Sequence, residues 1–342
     1  MRAVVVEQFG QPPRVQEVGE PACPDDGVVV AVEATGLCRS DWHAWQGHDD
    51  GVRLPHVLGH ELAGTVVEVG AEVTSWAPGD RVTTPFVLAC GRCTPCRRGE
   101  AQVCARQEQP GFTRWGSWAE RVALPRAETN LVAVPPGVPA DVACGLGCRV
   151  ATAYRAVAQV AQVEAGECVV VIGCGGVGLS AVMVAVALGA RVVAVDPAPA
   201  SRGLAEDLGA VAVEPAGLAE GLREVAPDGA DVSLDCLGAP ATLAASMACV
   251  RPRGRHVQVG LLGPDSSPAV DMARVVAQEL RLLGSHGLAA SSYPDLLALV
   301  ADGTLDPGRL VRDHVDLDEA ARRVVDLDRP GGGAGGMTVI HP

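Results

Sequence analysis

The sequence predicts an α/β protein of two domains, one mainly β and one a doubly wound parallel sheet. Three observations predict it. The chain has 342 residues, more than a single small core needs. Its rhythm changes near Cys148, from short strands and turns to strands alternating with helices. A buried apolar strand, CVVVIG, then runs into a glycine loop that opens a helix.

In chain order, MRAVVVEQFGQPPRV reads as a strand and a Pro turn. VVVAVEATGLC, AGTVVEVG and DRVTTP are apolar or alternating strands broken by Gly, Pro and Asp. Few helical patterns precede Val150, so an irregular, barrel-like β domain with large loops is expected. After CVVVIG come a helix, GLSAVMVAVALG, ending at Gly189, a strand, RVVAVD, and a helix, ASRGLAEDLG. DVSLDCLG, RHVQVGL and LRLLGSHG continue as strands, the rhythm of a parallel sheet. YPDLLALVADGTL and LDEAARRVVDLD read as helices and MTVI as a closing strand. This last part is expected to return to the first domain. The expected domains are residues 1–150 with 287–342, and residues 151–286. RPGGGAGG, Arg329 to Gly336, reads as a surface loop, since no helix follows its glycines.

Composition excludes several classes. Hydrophobic content of 48% against 20% charged is globular, not disordered. The longest apolar run, Val182 to Val195, is interrupted by Gly189 and Arg191, so no membrane partner is expected. The start of the chain lacks the features of a secretory leader, and a cytoplasmic location is expected. Net charge is −14 and the only basic cluster is Arg92, Arg97 and Arg98, which argues against nucleic acid. There is no Lys, which rules out a Lys Schiff base or Lys general base. Twelve cysteines in a reducing compartment point to metal or isolated thiols.

In the glycine loop, Gly173 permits a tight turn, Gly175 lets backbone approach a pyrophosphate, and Gly178 allows close packing of helix on strand. Gly176 and Val177 open the helix, whose N-terminus offers free N–H groups to phosphate oxygens. Asp196 ends the next strand, at the place of a carboxylate that binds ribose hydroxyls and repels a 2′-phosphate. NAD is therefore favoured over NADP. Arg202, one turn on, would soften that preference if it approached the ribose.

Cys90, Cys93, Cys96 and Cys104 are spaced C-x2-C-x2-C-x7-C. Four thiolates from one loop close a tetrahedron around zinc and leave no open position, which makes the centre structural. A disulfide pair conflicts with the compartment. A ferredoxin-like cluster has a different last gap and a following Pro, whereas Ala105 follows here. Cys38, His60 and Cys148 are scattered, and each alone is weak evidence. Together, two thiolates, one imidazole and a water make a known catalytic zinc environment.

GLCRSDWH, GHELAG, the four-Cys loop, GCRVATAY and GCGGVG, in this order, resemble the zinc-containing medium-chain alcohol dehydrogenases over essentially the whole chain. The resemblance implies a GroES-like catalytic domain and a Rossmann domain. It implies one catalytic and one structural zinc ion per chain, with NAD lying between the domains. Cys38, His60 and Cys148 match the catalytic ligands, and Glu61 a position that can approach the metal. Ser40 and His43 match the inner and outer members of a proton relay. Asp41 matches a carboxylate that orients the His ligand, and Arg39 a pyrophosphate contact of some members. Val259, Gly260 and Leu261 match nicotinamide contacts at a strand end. Trp45 and Phe86 are candidates for the substrate pocket wall, with core packing the alternative.

The reading is an enzyme that exchanges a hydride between a primary or secondary alcohol and NAD, yielding an aldehyde or ketone. A homo-oligomer, dimer or tetramer, is expected. Polyol, threonine and glutathione-linked formaldehyde dehydrogenases share these motifs and differ in the pocket. The zinc-free quinone reductase branch lacks the cysteine and histidine set. A non-catalytic NAD- and zinc-binding protein is the rival from another class.

Overall fold

The computed structural model describes residues 1–263, 266–329 and 335–342. Most of the glycine-rich stretch read as a surface loop, residues 330–334, lies outside the described residues. Met1–Ala151 with residues 287–329 and Met337–Pro342 form one compact unit, and Thr152–His286 form the other. Among the described residues no helix is long and apolar enough to cross a membrane.

The first unit is built around a seven-stranded sheet. In space its order is Val311–Asp316, Met337–His341, Val28–Leu37, Leu62–Val69, Arg81–Thr83 and Val132–Ala133, with Arg121–Leu124 also paired to Val28–Leu37. The first pair is parallel and the rest antiparallel. Val28–Leu37 is the central strand, rich in the β-branched residues that suit a buried pleat. Two apolar clusters flank the sheet, one around Val30, Val66 and Leu88, the other around Ala34, Cys144 and Val339. A separate three-stranded antiparallel sheet pairs Arg2–Val6 with Arg14–Glu17 and His56–Val57. The closing helix, Leu317–Asp326, buries Leu317, Ala320, Ala321 and Val324, an apolar stripe at helical spacing, in that core.

The second unit is a six-stranded, wholly parallel sheet: Val211–Val213, Arg191–Val195, Cys168–Ile172, Ala230–Asp235, Val250–Gln258, Arg281–Gly284. Numbered from its first strand, this is the order 3-2-1-4-5-6. The order reverses between Cys168–Ile172 and Ala230–Asp235, and ligands of such sheets bind beyond the strand ends at that point. Cys168, Val169, Val170 and Val171 are fully buried, as a strand covered by helices on both faces requires.

Candidate active site and metal centres

Three segments of the first unit deliver the scattered ligands to one place. The central strand ends at Leu37, and Cys38 follows as the N-cap of the helix Arg39–Gln46. His60 and Glu61 precede the neighbouring strand, whose Leu62 pairs with Thr35. That register sets His60 beside Cys38. Cys148 lies in the turn between the helices Ala140–Gly145 and Arg149–Tyr154. The ligand atoms of Cys38, His60, Glu61 and Cys148 all fall within 4.8 Å of one another.

The donor chemistry suits a zinc ion. Asp41 Oδ1 lies 3.0 Å from His60 Nδ1, and its two oxygens accept from the Cys38 N–H at 2.9 Å and the Gly59 N–H at 3.2 Å. A carboxylate there fixes the proton on Nδ1 and leaves the Nε2 lone pair free for a metal. His60 Nε2 is buried with no hydrogen-bond partner among the described residues, as a nitrogen that ligates a metal would be. Burial pulls the imidazole pKa down, but Asp41 and Cys38 outweigh it and hold the pKa well above its usual value, so a metal arriving at Nε2 would displace a proton from it. A hydrogen bond from Cys148 pulls the Cys38 thiol well below its usual value, against burial, and His60 adds to it.

Glu61 is engaged elsewhere. Its Oε1 accepts from the Arg149 Nε–H at 2.9 Å and backbone N–H at 3.0 Å, and its Oε2 pairs with Arg149 Nη2. Both side chains are buried, and only a glycine fits above them. A Cβ on Gly36 would stand 2.0 Å from Glu61 Oε2 and 2.5 Å from Arg149 Nη2. Burial raises the Glu61 pKa, with Arg149 opposing it.

Ser40 Oγ lies 3.9 Å from Cys38 Sγ. His43, three residues along the same helix, is exposed, with Nδ1 3.0 Å from His48 Nδ1. Partial desolvation of its ring, then the His48 and Arg39 charges, lower the His43 pKa. Phe86 and Phe112 flank His60, at ring-centroid distances of 6.4 and 5.3 Å. Trp45 is 3% exposed in the core, its indole N–H donating to Gln11 O at 2.6 Å, so it has almost no surface to offer a substrate. Arg39 donates to Leu327 O and pairs with Asp328, each at 2.5 Å.

The four-cysteine loop also suits zinc. The four sulfurs lie within 4.8 Å of one another, with Cys93 Sγ 3.3 Å from Cys96 Sγ and 3.6 Å from Cys104 Sγ. These exceed a disulfide bond and approach the ~3.8 Å edge of a zinc–sulfur tetrahedron. Backbone N–H groups of Cys90 and Arg106 donate to Cys104 Sγ, both at 3.3 Å, the pattern that steadies thiolates. Backbone donors bring the Cys90 thiol down to about 6, while burial and the neighbouring sulfurs push Cys96 up to about 12. Gly91 and Gly99 take positive φ, 70° and 79°, where the loop turns back on itself.

In the second unit the glycine loop sits at the switch point. Gly173 has φ 89°, and a Cβ on Gly178 would stand 1.8 Å from Gly173 O. At Gly175 a Cβ would project into open space, the cradle a pyrophosphate needs. Gly176 and Val177 form the first turn of the helix Gly176–Ala187. Asp196 turns back to the loop, accepting from the Cys174 N–H and Ala198 N–H, both at 2.8 Å. Arg202 donates to the carbonyls of Asp196 and Pro197, at 2.9 and 2.8 Å. Val259 and Gly260 lie just past the strand end, their N–H groups donating to Asp235 O at 3.0 and 2.8 Å. Leu261 beside them is 83% exposed, and Leu237, packed near Gly173, is 61% exposed.

Linear spacing gave no sign of Phe112. Arg149 carried one: a charge inside the apolar stretch GLGCRVATAY demands a buried partner.

A parallel 3-2-1-4-5-6 sheet with a glycine-loop cradle, in one chain with a unit holding two cysteine-rich donor sets, is the layout of a dehydrogenase-type metalloprotein. The alcohol dehydrogenase GroES-like domain family matches residues 24–136, and the zinc-binding dehydrogenase family matches residues 176–302. The chain belongs to the zinc-containing medium-chain dehydrogenase/reductase family. An alcohol dehydrogenase of Geobacillus stearothermophilus is 39% identical over 213 residues, 61% of this chain and 62% of that one. The alcohol dehydrogenase TADH from Thermus sp. ATN1 is 34% identical, with a TM-score of 0.90 over 100% of this chain and 99% of that chain. A zinc-binding dehydrogenase from Sinorhizobium meliloti 1021, solved bound to NADP, is 29% identical, with a TM-score of 0.89 over 100% and 99% of the two chains. In sequence, the chain matches about 62% of the length of the first curated relatives.

Proposed function

We propose that this chain is an NAD-dependent, zinc-dependent alcohol dehydrogenase acting on a primary or secondary alcohol. The observation that carries the proposal is the convergence of Cys38, His60 and Cys148, with the His60 Nε2 lone pair held free by Asp41. When bound, zinc supplies Lewis-acid polarisation of the substrate oxygen, and the nicotinamide supplies a hydride acceptor.

The chain's own residues position and move the proton. Three ligands leave a fourth place for substrate, with Glu61 kept back by Arg149 and available as a further ligand if that pair opens. Phe86 and Phe112 shield the His60 side and give the substrate an apolar wall. Ser40 is placed to take the hydroxyl proton. His43, at the i+3 position on the same helix, is its neighbour on the helix surface and faces solvent. Its lowered pKa keeps it neutral and able to accept. The alcohol loses a hydride to NAD⁺ and a proton to this relay, giving the carbonyl compound, NADH and H⁺.

For the cofactor, Gly175 leaves room for a pyrophosphate and Asp196 presents a carboxylate for the ribose. The exposed Leu237 and Leu261 offer the nicotinamide ring an apolar seat. Arg39 stands as a further pyrophosphate contact once released from Asp328. Two observations favour a second reading, use of NADP: Arg202 sits at the Asp196 carbonyl, and a relative was solved with NADP.

All twelve cysteines are unpaired, consistent with a cytoplasmic location and two zinc ions per chain. Strand Arg281–Gly284 ends the parallel sheet with Leu282 exposed, and Met272 and Val276 on the preceding helix are 56% and 74% exposed. We place the homo-oligomer contact at this edge.

The test is initial rates over short primary, benzylic and secondary alcohols and polyols, with NAD and NADP side by side. Turnover of simple alcohols with NAD is expected. Activity confined to polyols or to glutathione-linked formaldehyde moves the protein to a sibling activity, and preference for NADP removes the role given to Asp196. No turnover with both zinc ions present makes it a non-catalytic binder.

A further inference from the structure

Asp141, His314 and His341 carry no motif, and the fold brings them together in the first unit as a set separate from both cysteine-containing donor sets. His314 is on the strand Val311–Asp316 and His341 on its parallel partner, Met337–His341. The register sets His314 opposite Val339 and Asp316 opposite His341, so the two imidazoles stand diagonally on one face of the sheet. Val339 on that face is buried against Ala143 and Cys144 of the helix Ala140–Gly145. Asp141, in the first turn of that helix, is thereby carried over both histidines.

The geometry converges on one point. His314 Nε2 lies 2.9 Å from Asp141 Oδ2, and His341 Nε2 lies 3.4 Å from Asp141 Oδ1. The two rings stack with centroids 5.6 Å apart and planes 19° apart. The three ligand atoms lie within 4.8 Å of one another. Nitrogen and oxygen ligands about 2.0–2.1 Å from a zinc ion stand about 3.3 Å apart at tetrahedral corners, so small side-chain adjustments suffice.

A second observation argues for a cation. His341 Nδ1 lies 2.9 Å from the Glu33 carbonyl oxygen. A carbonyl only accepts, so the proton is on Nδ1. In the neutral ring the lone pair is then on Nε2, facing a carboxylate oxygen. Two acceptors facing each other need a positive charge between them, from a second proton on the ring or from a metal ion, and a second proton on each imidazole would set like charges in rings stacked 5.6 Å apart. The second imidazole converges on the same carboxylate, so one divalent ion answers the need of both. The Glu33 carbonyl is also the kind of partner that fixes the tautomer of a ligating histidine.

We propose that Asp141, His314 and His341 form a third metal site, for a divalent transition ion of borderline softness such as zinc. Two imidazoles and one carboxylate select such an ion over calcium or magnesium, which prefer all-oxygen shells. The three ligands come from a helix and two strands, so a bound ion ties Met337–His341 and Val311–Asp316 to the helix that precedes Cys148. The site is half-exposed, and the remaining coordination places are open to water.

The experiment counts metal. Purified protein with its cysteine centres filled is titrated with Zn²⁺ by calorimetry, and bound zinc is measured after gel filtration. The same is done for His341→Ala, His314→Ala and the milder His341→Gln. Wild type is expected to bind one equivalent more than each variant and to show a Zn²⁺-dependent rise in Tm that the variants lack. Affinity in the variants should fall by at least the roughly tenfold that loss of a metal site's outer partner costs. Alcohol oxidation should be unchanged in all of them, since none of these residues is in the catalytic machinery. Equal zinc stoichiometry and equal Tm response in wild type and variants overturn the proposal. So does a preference for Mg²⁺ or Ca²⁺ over Zn²⁺.

Discussion

Asp41 shows how one side chain sets a ligand's chemistry. It accepts hydrogen bonds from the His60 Nδ1–H and the Cys38 N–H together. Asp41→Asn keeps the shape and loses the charge. Zinc affinity should fall about 10–100-fold in competition with a chromophoric chelator; an unchanged affinity would show that the charge is idle. Arg149 and Glu61 test the opposite case, a buried pair whose loss leaves a bare charge. Arg149→Leu should cost about 3–5 kcal/mol, read as a lower denaturant midpoint, while Arg149→Leu with Glu61→Leu should recover most of it. A midpoint within error of wild type for the single variant would mean that water reaches Glu61. His43 supplies a pH prediction. Its pKa is lowered, so the imidazole protonates, and the relay loses its acceptor, only below the ordinary histidine value of about 6.5. The acid limb of kcat should lie below that value and flatten in His43→Gln. A limb at or above it would remove His43 from the relay.

At the scale of elements, the glycine loop separates two kinds of glycine. Gly178→Ala drives a methyl into Gly173 O and should lower Tm and cofactor affinity together. Gly175→Ala meets nothing in the protein, so Tm should hold while the NADH dissociation constant, read by fluorescence, rises about tenfold or more. If both variants behave alike, the open space at Gly175 is not the cradle. Much of this element was legible, because strand, loop, helix and acid lie within 30 residues and each leaves a local signature. The four-cysteine loop was legible for the same reason. What escaped lies in contacts between distant segments. Glu61 and Arg149 are 88 residues apart, and Asp141 and His314 are 173 apart. Periodicity says which face a residue takes, and nothing about which loop arrives there. Trp45 illustrates the limit: its place near the motifs left pocket wall and core both open, and the helix Arg39–Gln46 turns it into the core while Ser40 stays by Cys38.

Across the whole molecule, charge and edge strand pull against each other. A chain of net charge −14 repels its own copies, while the strand Arg281–Gly284 and the apolar residues near it invite them. Association should therefore strengthen as ionic strength rises from about 0.01 to 0.15 M, where the screening length shortens from about 30 to 8 Å. Light scattering across that range tests it, and Leu282→Glu should weaken the assembly at every salt. A monomer throughout would place the contact elsewhere or nowhere. The adjacency of Cys148 and Arg149 has a consequence for how such an enzyme can change. One residue would hold the metal, and the next neutralises a buried acid roofed by Gly36. A library that varies residues 147–149 to retune reactivity would mostly sample misfolded chains, because each variant must solve two problems at once. Adaptation of this protein is therefore easier from the Phe86 and Phe112 side, where a change of shape leaves no charge stranded.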